Sequence, residues 1–249
     1  MKNTRTFLLA FAATLLAGPA FPQTLSNPLA DEGTKQRYHF LATYQDSPGQ
    51  CLILGQNLGW SFEQFGPTVE TLHDVTGQWP GLIGGQLRQA PGEIDLEALK
   101  LLYKNWQQAG GLVEMSMLPD NPWTGGSAWD ISQTNIQQLT TPGQPGYTQW
   151  TAELDFYADV LSQMQDLGIT VIWRPLVEMN GDWFWYGFHG SNDPQPYIDL
   201  YRNMYDYFTH TWHLNNLIWV YAANVSYSGI QSVGHFYPGS DVVDIVGLD

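Results

Sequence analysis

The chain has 249 residues, of which 43% are hydrophobic and 14% aromatic, enough apolar material for the core of one large domain. Nine Lys and Arg residues stand against 24 Asp and Glu residues, a formal net charge of −15. Such a surface repels nucleic acid and anionic membranes and disfavours polyanionic substrates, whereas it suits a neutral one. The only cysteine, Cys51, excludes an intramolecular disulfide, and the apolar residues after it are typical of a buried strand.

Residues 1–20 have the features of a secretory signal peptide. Lys2 and Arg5 supply the positive charge, residues 7–16 are apolar, and residues 17–20 form a small-residue cleavage site. The apolar run is shorter than the roughly 20 residues that span a bilayer. We therefore expect a secreted, extracellular protein without a membrane anchor after cleavage, and a retained anchor is the alternative.

From residue 49 onward, strand-like and helix-like segments alternate, which indicates an α/β fold with a parallel sheet. Strands are predicted at residues 52–58, 82–87 and 112–117, from 169 onward, and at 217–221 and 242–248. Helices are predicted at residues 68–76, from an N-cap at Asp95 to the glycines at 110 and 111, at 151–167, and from Asp193 and Pro194 onward.

Six strand–helix beginnings can be counted where a closed (β/α)8 TIM barrel has eight. We therefore expect a barrel truncated after the sixth strand, in a single domain over residues 21–249. The connection at residues 118–150 is unusually long and rich in Gly, Pro, Asn and Trp, and loops of that length inside a domain are usually functional.

The fourth strand carries charged residues that an ordinary buried strand lacks. If the strand continues to its end, Arg174, Leu176 and Glu178 share one face, with the carboxylate nearest the carboxyl edge of the sheet. An internal ion pair is one interpretation. The aromatic residues directly behind, Trp183 and Trp185 among them, favour another, because flat apolar rings stack on sugars. Indole rings also disfavour the charged form of a neighbouring carboxyl, which suits a catalytic acid.

Three segments together resemble a known family. RPLVEMNGDWFWYG, at residues 174–187, closely resembles the acid/base segment of glycoside hydrolase family 26, the β-mannanase family of clan-A (β/α)8 barrels. SMLPDNPWTGG, at 116–126, resembles its third-strand loop, and YPGSDVVDIVGLD, at 237–249, resembles its sixth strand. The segments occur in family order, and the resemblance covers residues 52–249.

The resemblance implies a role for each matched residue. Glu178 would be the proton donor and general acid/base, while the nucleophile would lie at the end of a seventh strand, beyond residue 249. Arg174 would orient the carboxylates, and Asn180 and Trp183 would bind substrate, the tryptophan as a stacking platform. Asp249 matches the sixth-strand aspartate that supports the site.

Other substrate-binding candidates have weaker support. Trp185 would extend the sugar platform, and the third loop offers three further contacts, Asp120, Asn121 and Trp123, although a structural role for that tryptophan fits as well. Asn224 follows the predicted fifth strand and faces the site, so we include it.

Two positions depart from the family pattern. Val177 and Leu118 stand where the family usually has histidines that bind the sugar beside the scissile bond, and neither can donate a hydrogen bond. The preferred sugar is therefore open. His210 and His213 lack a carboxylate partner at metal-site spacing, so we expect no metal and no cofactor.

The sequence thus predicts an endo-acting retaining glycoside hydrolase that cleaves β-1,4-mannan. The alternatives are a β-1,3-1,4-glucanase of the same family and a non-catalytic, secreted carbohydrate-binding barrel. The expected partner is a plant-type β-mannan or related neutral polysaccharide, with no nucleic acid and no membrane involved, and the expected form is a monomer.

Overall fold

The computed structural model describes residues 24–44, 52–59, 62–87, 95–190, 192–225 and 229–249. The predicted signal peptide and Cys51 lie outside these residues. No helix within them is both long enough and apolar enough to cross a membrane.

Six parallel strands form one sheet whose order follows the chain. The strands are β1 (Gly55–Asn57), β2 (Leu82–Leu87), β3 (Leu112–Met117), β4 (Val171–Pro175), β5 (Leu217–Ala223) and β6 (Ile245–Leu248). Sequential parallel order without reversal is the arrangement of a (β/α) barrel rather than of a doubly wound sheet. The predicted fold class is confirmed, with six strands of the barrel in the described residues.

Helices alternate with the strands on the outside of the sheet. They are α1 (Glu32–Tyr44), α2 (Thr71–Thr76), α3 (Leu96–Gln108), α4 (Tyr147–Asp166) and α5 (Gln195–Asp206). A π-helical turn, Phe65–Glu70, precedes α2, a second, Tyr207–Thr211, follows α5, and a 3₁₀ helix, Ile136–Thr140, lies in the third loop.

The predicted helix starts are confirmed at α3 and nearly so at α5. The Asp95 side chain accepts a hydrogen bond from the Ala98 amide, as an N-cap should. Pro194 occupies the capping position of α5, and Asp193 accepts from the Gln195 amide just outside it. The predicted first strand is too long, because Leu52 and Leu54 are exposed and the parallel ladder with β2 begins only at Gly55.

Aromatic side chains fill the space between β4, β5 and the helices that cover them. Trp173 of β4 and Trp219 of β5 are fully buried, and each ring centroid lies 6.0 Å from that of Phe208. Tyr205 contacts Trp219 at 5.0 Å. Close packing of this kind leaves little freedom to the two strands, so the loops that follow them start from fixed positions.

Candidate active site

The chain leaves the extended conformation directly after β4. The strand ends at Pro175, and Leu176 and Glu178 adopt left-handed backbone angles, with φ of 49° and 57°. The prediction that strand alternation places them with Arg174 on one face is therefore wrong: Leu176 is fully buried, whereas Glu178 is partly exposed. Left-handed angles cost a non-glycine residue about 1–2 kcal/mol, and such strain is often found at functional sites.

Two hydrogen bonds hold this turn in place. The Glu178 amide donates to the Ala222 carbonyl oxygen of β5 at 2.8 Å, and the Tyr197 hydroxyl of α5 donates to the Leu176 carbonyl oxygen at 3.0 Å. The turn is thus fixed to β5 on one side and to α5 on the other, and it presents the Glu178 carboxyl at the carboxyl edge of the sheet.

The Glu178 carboxyl receives two donors, one for each oxygen. The indole Nε1 of Trp183 lies 2.8 Å from Oε2, and the amide Nδ2 of Asn224 lies 3.2 Å from Oε1. The partly exposed Trp183 ring folds back over Gly181, where an added methyl group would overlap it. Trp183 and Asn224, both predicted to contact substrate, are therefore brought together with the acid.

Asn180 is buried and holds the backbone of Asn224, which in turn contacts Glu178. Its side chain is fully buried; Nδ2 donates to the carbonyl oxygens of Asn224 and Gln231, and Oδ1 accepts from the Asn224 amide at 2.8 Å. Every hydrogen-bonding position on Nδ2 is used within the protein. The structure thus makes Asn180 the residue that positions Asn224, and its contact with substrate stays a prediction.

Trp185 also lies in the core. It is fully buried, its Nε1 donates to the Pro119 carbonyl oxygen at 2.8 Å, and its ring packs edge-on against Trp123 and Trp150. The sugar-stacking role predicted for Trp185 stays a prediction. Its contacts fix the third loop to the loop after β4.

The three substrate contacts predicted in the third loop differ in burial. Asn121 is fully buried and donates to the carbonyl oxygens of Asp130 and Gln133, so it holds the loop together, and its role in binding substrate stays a prediction. Trp123 is partly exposed and donates to the Pro145 carbonyl oxygen, while Asp120 is partly exposed next to the third strand. Their contact with substrate stays a prediction.

Arg174, Glu114 and Asp249 form a network of ion pairs. Arg174 Nε donates to Glu114 Oε1 at 2.9 Å, and its NH1 nitrogen donates to Asp249 Oδ1 at 2.7 Å. Burial raises the pKa of the Glu114 carboxyl, and the Arg174 charge opposes that rise. Arg174 thus connects β3, β4 and the residue after β6, and its role in orienting the catalytic carboxylates stays a prediction.

Glu114 is a site residue that the sequence predictions missed. It is 8% exposed in the middle of β3 and packs so closely on Gly84 of β2 that a methyl group there would overlap the carboxylate. The signal was present, since Glu114 is the one charged residue in the strand LVEMSM and a lone buried charge requires a partner.

The two positions that depart from the family pattern are apolar and nearly closed to solvent. Val177 is 5% exposed and Leu118 is 4% exposed. The Tyr186 hydroxyl is buried without a hydrogen-bond partner in the described part of the chain, and the negative charge of Glu178 contributes to raising the pKa of that phenol after burial itself. The site can therefore hold and orient one carboxyl next to an apolar wall.

No group of three or more His, Cys, Asp or Glu side chains within the described ranges is arranged to hold a metal ion. The chemistry that this geometry offers is that of a single oriented carboxyl group beside an arginine–carboxylate network.

Residues 26–249 match the profile of the family described as Glycosyl hydrolase family 26. The chain is 36% identical over 239 residues to mannan endo-1,4-β-mannosidase A and B of Caldalkalibacillus mannanilyticus, which covers 90% of this chain and 46% of that protein. It is 34% identical over 257 residues to a mannan endo-1,4-β-mannosidase of Bacillus subtilis, covering 97% of this chain and 69% of that one. The chain therefore spans about half the length of the first of these relatives.

Two solved structures that this chain resembles are also mannanases. The structure of Bacillus subtilis mannanase man26 superposes with a TM-score of 0.81 at 28% identity, over 91% of this chain and 71% of that one. A β-mannanase from a symbiotic protist of the termite Reticulitermes speratus, complexed with gluco-manno-oligosaccharide, gives a TM-score of 0.76 at 25% identity, over 94% and 73%.

Proposed function

The chain belongs to glycosyl hydrolase family 26, and on this premise we propose that it performs the acid–base chemistry of an endo-acting, retaining β-1,4-mannan hydrolase. The observation that carries the proposal is the Glu178 carboxyl, presented on a left-handed turn and held by Trp183 and Asn224. The names of the relatives point to the same substrate class.

Glu178 acts twice in this mechanism. As an acid it gives a proton to the glycosidic oxygen while a second carboxylate attacks the anomeric carbon, and the bond to the leaving sugar breaks. As a base it then takes a proton from water, which attacks the glycosyl-enzyme and releases the product with retained configuration. In retaining enzymes the two carboxyl groups lie about 5–5.5 Å apart. From the family resemblance we expect the second one at the end of a seventh strand.

The neighbours of Glu178 support this assignment. The N–H groups of Trp183 and Asn224 each engage one carboxyl oxygen, which limits rotation of the group and fixes the direction of proton transfer. The partly exposed indole ring beside the acid is also suited to stack on the sugar whose bond is broken.

Arg174 and its two carboxylate partners form a rigid ion network beneath the site. The guanidinium holds the Asp249 carboxylate at the carboxyl edge of β6, while Glu114 fixes the guanidinium from β3. A positive charge fixed here stabilises negative charge on a neighbouring nucleophile without reorganisation during the reaction.

A second candidate is supported by Val177 and Leu118. Both are apolar where the resemblance expects histidine, so hydrogen bonds that would recognise one particular hexose are lacking there. A β-1,3-1,4-glucanase specificity, or binding of a neutral polysaccharide without turnover, would fit such a site. We further propose an extracellular location, which the composition of residues 1–20 supports.

The experiment is to incubate a form that includes the seventh-strand glutamate with linear β-1,4-mannan and with mixed-linkage β-glucan, following reducing ends and the anomer released by NMR. We expect faster cleavage of mannan with β-anomer retained. Preferential cleavage of the glucan would favour the second candidate, and release of the α-anomer would contradict the retaining mechanism.

A further inference from the structure

A cavity of about 200 Å³ lies behind the loop that carries the acid. Its walls come from the third loop, from residues 186–189 after the acid turn, and from the start of α5. The Phe188 amide donates to the carbonyl oxygens of Met179 and Gly181, so this wall is attached directly to the acid-bearing turn.

Tyr186 belongs both to the cavity wall and to the surroundings of the acid. It lines the cavity and is 1% exposed, and after burial itself the charge of Glu178 helps to raise the pKa of its phenol. Phe188 and Phe236 supply two further aromatic walls, the first of them partly exposed. The cavity therefore lies against the acid-bearing turn and offers ring faces of its own.

The polar groups of the cavity are those that recognise neutral hydroxyl groups. Asn135 and Gln137 are exposed amides on the third loop, and the Asn135 side chain makes no capping bond to the 3₁₀ helix that follows it. Each amide offers both donors and an acceptor. His189 Nε2 lies 2.8 Å from the Phe184 carbonyl oxygen, and as the donor in that bond it leaves Nδ1 as an acceptor.

A charged ligand fits these surroundings less well. Asp193 lies at the cavity with one oxygen accepting from the Gln195 amide, and the whole chain carries a net charge of −15, so an anion would be repelled. No Lys or Arg side chain lines the cavity within the described ranges. Amides and aromatic faces together select a compact, neutral polyol.

We propose that this cavity is an accessory subsite that binds a single neutral hexose unit next to the catalytic cleft, with the amides of Asn135 and Gln137 as its recognition groups. The subsite rests on the proposed function in one respect, because the hexose would belong to the polysaccharide held in the cleft. Affinity for one hexose is expected in the millimolar range, given its small number of atoms.

The test uses the 249-residue chain with mannose, galactose and glucose as separate probes, followed by saturation-transfer difference NMR and by the shift of the His189 ring signals. We expect at least one hexose to bind and to perturb His189. Asn135→Ala and Gln137→Ala should each weaken that binding at least fivefold. Gln149→Ala, which removes an exposed amide from α4 away from the cavity, should leave it unchanged.

Trp183→Ala distinguishes binding in the subsite from binding in the cleft. We expect this variant to keep hexose binding and the His189 shift while it loses the tryptophan fluorescence response to linear manno-oligosaccharides. Failure of that fluorescence response in the unmodified chain would count against the proposed function, not against the subsite. Loss of hexose binding in Trp183→Ala but not in Asn135→Ala or Gln137→Ala, or no binding of any hexose, would overturn the subsite.

Discussion

The indole Nε1 of Trp183 donates to Oε2 of Glu178 at 2.8 Å, so the aromatic residue nearest the acid orients the carboxyl directly. A stacking platform alone would need only the ring face. The hydrogen bond gives the tryptophan a second task, which is to fix the angle at which the acid meets the glycosidic oxygen.

Trp183→Phe separates these tasks, because it keeps an aromatic face and removes the N–H donor. A hydrogen bond to a charged group contributes about 1.5–3 kcal/mol, so we expect kcat to fall about tenfold or more, with KM changed much less. Trp79→Phe is the matched control, since that exposed ring lies before β2, outside the site, and should leave both constants unchanged. Equal effects of Trp183→Phe on kcat and KM would argue against an orienting role.

Asn180 and Asn224 should respond differently to truncation. Asn180→Ala leaves buried backbone groups of Asn224 and Gln231 without partners and should lower the free energy of unfolding by about 1–3 kcal/mol. Asn224→Ala removes only a donor to Glu178 and should lower kcat with little change in stability. Urea unfolding and steady-state kinetics on both variants decide this, and a large stability loss in Asn224→Ala would contradict the assignment.

Gly84 should tolerate no side chain, because the Glu114 carboxylate occupies the space a methyl group would need. Forcing Glu114 away also disturbs its bond to Arg174. Overpacking of this kind costs about 1–3 kcal/mol, which urea unfolding of Gly84→Ala would measure. Gly234→Ala is the control, since nothing lies within 4 Å of its added methyl group. Equal stability of the two variants would show that Glu114 is not held against β2.

Glu153 should make stability depend on pH. Burial and then the Asp120 charge raise the pKa of this carboxyl from 4.5 to about 7. Between those pH values the unfolded chain has released its proton while the folded chain keeps it, so stability falls as pH rises and levels off above about 7. That rise in pKa corresponds to roughly 3 kcal/mol of stability lost across this pH range.

Glu153→Gln should remove that slope, whereas Asp166→Asn, an exposed change on the same helix, should retain it. The measurement is the free energy of unfolding in urea at several pH values from 4 to 8. A slope that persists in Glu153→Gln would show that another group is responsible.

The strands were predictable because burial imposes a period that the sequence displays. β2 and β3 have the predicted bounds, and their residues are mostly buried. Helix α1 was not predicted, since only Thr34 and Tyr38 of its residues are buried and its face is poorly marked. Periodicity therefore located the site at the end of β4 but gave no information beyond Pro175.

The residue types predicted which residues lie near the site, but they did not predict where each side chain points. Trp183 and Trp185 are two residues apart in one motif, yet one touches the acid and the other fills the core, because the loop has no repeating geometry. Asn121 and Asn180 have the composition of substrate contacts, but the amide of Asn121 donates to carbonyl groups of its own loop and that of Asn180 donates to carbonyl groups of the loop after β5. Contacts between distant segments decide such cases, and a single sequence does not display them.

The most direct test of the account is hydrolysis by Glu178→Ala in a form that includes the seventh-strand glutamate, compared with Asp182→Ala, which changes an exposed carboxylate four residues away. General acid catalysis contributes about a hundredfold or more, so Glu178→Ala should cleave β-mannan that much more slowly. It should still attack an activated aryl mannoside, whose leaving group needs no proton, then stall as the glycosyl-enzyme and recover when azide is added. Normal cleavage of mannan by Glu178→Ala together with loss of activity in Asp182→Ala would contradict the assignment of the acid.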